Sequence, residues 1–289
     1  MEHTKARIAY FARRVSLVGA MVLMGIVTRA QQQPQAQTSA TPDNTIPPAP
    51  TAISTFTRGE QLYEAKNYPT AFRAFQESAS GGNVMAMLYL GVMYTEGQGT
   101  TVRYDEAEKW LRKAAIAGNR QAMCNLGILY FEGLGVEKRY DQALRWFRES
   151  AAAGNDQAMF NLGMMYHDGL GVATDYTAAM DWLLKSASDG NEKAMNSIGV
   201  MYQHGQGVAR DYTEAARWFR LAVDLESRPA MYNLGLLYQD GLGVPADAEE
   251  AKKWFFKASR KDSDGSSSND KSSLDAKPAV DDKQQLDHP

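Results

Sequence analysis

The chain is poor in the residues that build covalently or metal-tied folds. Its 289 residues include one cysteine, Cys124, and four histidines. One cysteine cannot form an internal disulfide or supply a cysteine-based zinc site, and on a helix it serves as a small apolar residue. Excess positive charge is lacking as well. The 31 Lys and Arg face 34 Asp and Glu, a net charge of −3 with both signs interspersed. That excludes the basic footprint of a nucleic-acid binder. Long apolar runs are missing too: the stretch from Val15 to Val27 has 13 residues, short of the roughly 20 that cross a bilayer comfortably.

That stretch fits an export signal instead. Lys5, Arg7, Arg13 and Arg14 precede it, and Thr28-Arg29-Ala30 follows with small residues where a signal peptidase reads. Arg13-Arg14 matches a twin-arginine signal poorly, because Ser16 stands where phenylalanine is preferred. Residues 1–30 are therefore expected to be a cleaved signal peptide, and the protein periplasmic or secreted, without a membrane span once the signal is removed. Residues 31–55 are Gln, Pro, Thr and Ala, and 261–289 are rich in Ser, Asp and Lys. Neither segment can bury enough apolar surface to offset its ordering entropy, so a linker and a disordered tail are expected. The ordered body is placed at 56–260.

What the body does contain is a period. Trp110, Trp146, Trp182, Trp218 and Trp254 are each 36 residues apart. Gly91, Gly127, Gly163, Gly199 and Gly235 keep the same step, as do Tyr94, Tyr130, Tyr166, Tyr202 and Tyr238. A fixed period of this size marks an array of supersecondary units. Within a unit two helices are expected. The first, over about 120–132, carries Ala122, Leu126 and Tyr130 at four-residue spacing. Gly127 in its middle costs about 1 kcal/mol against alanine, which points to close approach by a neighbouring helix backbone. Gly133-Leu134-Gly135 ends it. The second starts near Tyr140 or Asp141 and buries Ala143, Trp146, Phe147, Ser150 and Ala151, with the five tryptophans as the spine of the stack. Capping-box spacing marks its start at Asp211–Glu214 and Asp247–Glu250. Gly154-Asn155 closes the unit, with Asn155 capping the next first helix; the last unit has Glu226-Ser227 there, and Ser227 is expected to cap in its place.

Six helix pairs result. The first, over about 57–80, is degenerate, keeping Gly59, Tyr63, Tyr68, Ala71 and Phe75 with Ala74 at the tryptophan position. At the other end Ala248 replaces the tyrosine found at 140. Both departures suit terminal, capping units.

The pattern Ala122, Leu126, Gly127, Tyr130, Gly133, Gly135, Val136, Trp146, returning in neighbouring copies, resembles the Sel-one-like repeat, the longer relative of the tetratricopeptide repeat. The resemblance implies an all-α, right-handed α-solenoid of antiparallel helix pairs, whose concave surface, lined by first helices, binds proteins. Exported bacterial members imply a non-enzymatic adaptor or regulator in the envelope. A cysteine-rich branch associated with penicillin binding and weak β-lactamase activity implies an alternative hydrolase, but the cysteine pairs of that branch are missing here. A self-associating envelope component is the other alternative.

Motifs that carry chemistry are few. The Ser-x-x-Lys spacing at Ser268–Lys271 falls in the low-complexity tail, without the packed site and base such a nucleophile needs. Gly133-x-Gly135 lacks the third glycine and the lysine of a phosphate cradle. His167 and His204, near the ends of adjacent first helices, are the one arrangement that with Asp168 resembles a metal set, though the helix C-terminus favours histidine by itself. No catalytic, cofactor or metal residue is assigned. Glu96, Glu132, Asp168 and Asp240, each just before a Gly-x-Gly loop, form an acidic row expected at a solvated edge. Asn125, Asn161 and Asn233 are expected to bond between units.

Binding is expected where the units differ. On the first helices the rows Leu88/Cys124/Phe160/Asn196/Tyr232, Val92/Ile128/Met164/Val200/Leu236 and Thr95/Phe131/His167/Gln203/Gln239 change in size and polarity from copy to copy. Phe131, Phe160, Met164, His167, Asn196, Tyr232 and Gln239 are the candidate contacts for a protein or peptide held in an apolar groove with polar flanks. Gly127, Tyr130, Trp146, Gly163, Tyr166, Trp182, Gly199, Trp218, Gly235 and Trp254 are assigned to the repeat frame. The protein is expected to act as a monomer, without nucleic acid or cofactor.

Overall fold

The computed structural model describes residues 54–260. The expected signal peptide at 1–30, all but the last two residues of the linker, the tail at 261–289 and the Ser268–Lys271 spacing lie outside the described residues. Twelve helices and no strand occur among the described residues: α1 (Thr55–Glu64), α2 (Tyr68–Ser80), α3 (Val84–Glu96), α4 (Tyr104–Ile116), α5 (Arg120–Glu132), α6 (Tyr140–Ala152), α7 (Asp156–Asp168), α8 (Tyr176–Ser188), α9 (Glu192–His204), α10 (Tyr212–Val223), α11 (Arg228–Asp240) and α12 (Ala248–Ser259). Each helix packs on its neighbours in sequence, within a pair and across to the next pair. This is an all-α solenoid, in which every unit is supported by the ones beside it.

The helix ends follow from a few side chains. Asn83, Asn119, Asn155 and Asn191 accept from the amides of Ala86, Ala122, Ala158 and Ala194 at 2.8–3.0 Å. Each satisfies a donor that has no partner inside its helix. Ser227 occupies the same position but makes no cap hydrogen bond. Pro229 removes one of the two amides a cap could reach, and serine is shorter than asparagine. The first helices end on Gly97, Gly133, Gly169, Gly205 and Gly241, all left-handed. The second glycine of each loop touches the unit before: a Cβ on Gly135 would lie 2.2 Å from Tyr104 Cβ, and one on Gly243 2.2 Å from the Tyr212 carbonyl carbon. The tyrosine that opens each second helix thus receives the next unit's loop. Ala248, in the last described unit, stands where that tyrosine otherwise stands.

Only half of each expected capping box forms. Asp211 and Asp247 accept from the amides of Glu214 and Glu250, but the glutamates bond Arg217 and Lys253 instead of reaching back. The reason lies in the frame. The amides at 103, 139, 175, 211 and 247 already donate to the carbonyls of Tyr94, Tyr130, Tyr166, Tyr202 and Tyr238 at 2.9–3.0 Å, so the cap position has no donor to offer.

The spine is not the tryptophan row. Trp146 is buried, whereas Trp110, Trp182, Trp218 and Trp254 are half-buried. The deep positions belong to the next residue, Leu111, Phe147, Leu183 and Phe219, with Phe75 in the first pair. These side chains explain the mid-helix glycines. A Cβ on Gly127 would sit 2.5 Å from the Phe147 ring, and one on Gly91 2.5 Å from Leu111. The close approach is therefore made by a side chain inserted from the second helix, not by the helix backbone. The tryptophans turn to the outer seam, where Lys113, Lys185 and Lys257 lie 4.1–4.3 Å from the ring centres of Trp110, Trp182 and Trp254.

Candidate protein-binding surface

The first helices carry the three variable rows, and the structure treats the rows differently. In the first row Leu88 and Cys124 are sealed in the core and Phe160 is 8% exposed. Burial pushes the Cys124 thiol far above its ordinary range, so it remains protonated. The row opens only toward its end, where Asn196 is half-buried and Tyr232 is 40% exposed. Tyr232 also leans on Phe255, with ring centres 5.3 Å apart. In the second row Ile128, Met164, Val200 and Leu236 are half-buried, while Val92 is buried. The groove is consequently shallower than a row of exposed phenylalanines would make it.

The third row is largely occupied with joints. Phe131 is buried and packs on Tyr140 at 5.3 Å. His167 meets Tyr176 edge-on at 5.2 Å. Its Nδ1 lies 2.7 Å from Asp168 Oδ1 and its Nε2 3.0 Å from Gln206 Oε1, in the next unit's loop. Tyr63 makes the equivalent bond to Gln98. Only Gln239, at the end of the row, is exposed. Met164, His167, Leu183, Ser197, Val200 and Met201 line a shallow apolar hollow between α7 and α9. Ser197 is the residue that sequence reasoning missed. It stands where Asn125, Asn161 and Asn233 stand in other units, and that break was the available signal.

The asparagine row itself is mixed. Asn233 Nδ2 donates to Asn196 Oδ1 across units at 2.9 Å, but Asn125 and Asn161 accept from Gln121 and Gln157 one turn earlier on their own helices. The caps join successive first helices: Asn155, ahead of α7, donates to Gln121 on α5 at 3.0 Å, and Asn191, ahead of α9, to Asp156 on α7 at 3.1 Å. Of the acidic row, Asp168 and Asp240 are exposed, whereas Glu96 and Glu132 are half-buried. Loss of hydration raises both glutamates above the ordinary carboxylate value, against a hydrogen bond to Gln98 for Glu96 and the charge of Lys138 for Glu132. Glu132 Oε1 is buried with no hydrogen-bond partner among the described residues. These two carboxylates turn inward instead of forming an edge. No set of three His, Cys, Asp or Glu side chains capable of holding a metal occurs among the described residues.

The second helices carry a polar lattice on the opposite side. Tyr130 Oη donates to Glu108 at 2.6 Å, and Arg112 donates to both. Although burial pushes the Glu108 carboxyl up, these bonds hold it below its ordinary range. Arg148 and Arg220 repeat the bond to Tyr166 and Tyr238.

The model of the Sel1 repeat matches five consecutive segments, 84–119, 120–155, 156–191, 192–227 and 228–263. The chain belongs to the Sel1 repeat family. Repeats of this family generally serve as scaffolds for protein–protein interaction. Among solved structures, the chain is similar to a protective antigen of uropathogenic Escherichia coli that displays this repeat fold, at 32% identity and a TM-score of 0.65. That match covers 71% of this chain and 44% of the antigen, so the chain spans less than half of the antigen's length. A Sel1 repeat protein from Oxalobacter formigenes is 28% identical over 70% of this chain and 84% of its own, with a TM-score of 0.63. An immunity protein from Pseudomonas aeruginosa, 19% identical over 74% of this chain and 83% of its own at a TM-score of 0.50, shares the fold. No curated protein matches the chain significantly. Among the described residues no helix is long and apolar enough to cross a membrane.

Proposed function

We propose that the chain is a non-catalytic scaffold of the bacterial envelope that holds a protein segment along its first-helix face. The observation that carries this is the division of labour within the units. The glycines, tyrosines and capping asparagines repeat, while the half-buried positions Met164, Asn196 and Val200 and the exposed Tyr232 and Gln239 belong to rows that differ between copies. Variation on that face, carried by a repeated frame, is what a partner-specific surface requires, and the side-chain mixture there suits a peptide anchored by apolar groups. Export rests on the basic and apolar N-terminal stretch.

The test is affinity capture from an envelope extract with the full chain, beside Met164→Gln/Tyr232→Ala. Phe160 and Phe131 are left intact because they are buried, and a charge there would test folding instead of binding. A protein retained by the parent and lost by an equally heat-stable double variant supports the reading. Equal retention by both overturns it.

A further inference from the structure

At the joint between α8 and α10 the polar pattern of the outer seam fails; in the last described unit it fails again at Phe256, 66% exposed at the same repeat position. At three joints an arginine on the second helix, Arg112, Arg148 or Arg220, donates to a tyrosine of the next unit, and the Arg112 guanidinium lies 5.9 Å from the Trp146 ring. At the joint between α8 and α10 that position is Leu184, 41% exposed, so a leucine replaces the arginine that serves the tyrosine at those joints. Three residues after the tryptophan, Lys113, Lys185 and Lys257 cover the ring in their units. On α10 that position is Leu221, 37% exposed, and Leu225, 47% exposed, lies in the turn just past the helix end at Val223. Leu221 and Leu225 therefore follow Trp218, whose ring the Arg217 guanidinium covers at 4.8 Å, as a short apolar run at the end of α10, with Leu184 on the preceding second helix.

The charges at the end of this run depart from the pattern too. The earlier second helices α2, α4 and α6 close on Gly81, Ala117 and Ala153, but α8 closes on Asp189 and α10 on Asp224, followed by Glu226. All three carboxylates are exposed. Acidic groups at a helix C-terminus oppose the helix dipole, so they are not there to stabilise the helices. Together with the leucines they make a small apolar strip with a negative end.

We propose that this seam is a second docking surface, which takes a short amphipathic helix of a partner protein. Its apolar stripe would lie on Leu184, Leu221 and Leu225, and its basic residues would face Asp189 and Asp224. At that end the charge complementarity selects basic residues of the partner, while Lys185, Arg217 and Arg220 line the strip itself. The area argues against a second copy of this chain: three leucines exposed by about two-fifths offer on the order of 200 Å², far below the roughly 800 Å² that each side gives to a standard stable interface.

Fluorescence anisotropy with the full chain tests this. The probes are a labelled amphipathic helix of leucine and lysine and its leucine–glutamate counterpart. The variants are Leu184→Arg/Leu221→Lys, which restores the residues used at the other joints and so keeps the fold, and Asp189→Asn/Asp224→Asn. The leucine–lysine helix should bind the parent, lose about tenfold in affinity on the leucine variant, and weaken on the aspartate variant. The leucine–glutamate helix should bind less well. Equal affinity across parent and variants, or for both helices, overturns the proposal. So does sedimentation showing that the leucines drive self-association, or flotation showing that they bind lipid vesicles instead. Met164→Gln/Tyr232→Ala should leave this binding unchanged, which separates its outcome from that of the first-helix face.

Discussion

Alanine at Gly135 and alanine at Gly118 should differ in cost, although both backbones are left-handed, at φ 67° and 88°. Each substitution carries the penalty of about 1–2 kcal/mol for an L-residue in that region. At Gly118 nothing lies within 4 Å of the new Cβ, while at Gly135 it would meet Tyr104 at 2.2 Å. Overpacking adds about 1–3 kcal/mol there, so urea midpoints should rank Gly135→Ala well below Gly118→Ala. The reverse experiment is at Glu226, which has φ 62° where the other units place glycine. Glu226→Gly removes the strain and costs some unfolded-state entropy, for a net gain of about 0.5 kcal/mol. Glu132 gives a pH-dependent case. Its carboxyl is raised by loss of hydration, so the folded state holds the proton more tightly than the unfolded one. Stability therefore falls as pH rises from the ordinary value of 4.5 through the raised one. Glu132→Gln should stabilise at neutral pH and lose that advantage below the ordinary value; an equal gain at both pH values would contradict the assignment.

At the scale of helices the sequence is very informative about position and less so about direction. The first helix expected at about 120–132 is found at Arg120–Glu132, because asparagine caps and left-handed glycines are local signals. What a period cannot tell is which of two adjacent apolar residues faces inward. Trp146 and Phe147 recur together or as Trp-Leu, and only the glycine opposite, once packed, shows that the second is the one inserted. Their substitution should separate them. Phe147→Ala empties the site against Gly127 and should cost about 3–5 kcal/mol. Trp146→Phe trims a ring whose Nε1 has no acceptor among the described residues, and should cost about 1–2 kcal/mol of buried area. Comparable losses would restore the tryptophan spine.

For the whole array, fold and candidate site were legible to different degrees. The repeated residues act within a unit or on the unit beside it, and a 36-residue comparison exposes them. The binding face depends on how much each variable side chain is covered by the next unit, which turns on particular pairs such as His167 with Gln206. Thus the variable rows were visible, but Phe131 and Phe160 proved to be packed while Ser197 opened the hollow. Glu96 and Glu132, expected at a solvated edge, are half-buried for the same reason: burial belongs to the stack, not to the unit.

The most direct test of the scaffold account is site-specific photo-cross-linking in cells that produce the full chain. A photoreactive residue would replace Tyr232 or Gln239 on the first-helix face, or Ile116, 78% exposed at the end of α4. The account predicts a discrete protein adduct at the first two positions and none at Ile116. An adduct at Ile116 alone, or none at Tyr232 and Gln239, would contradict it.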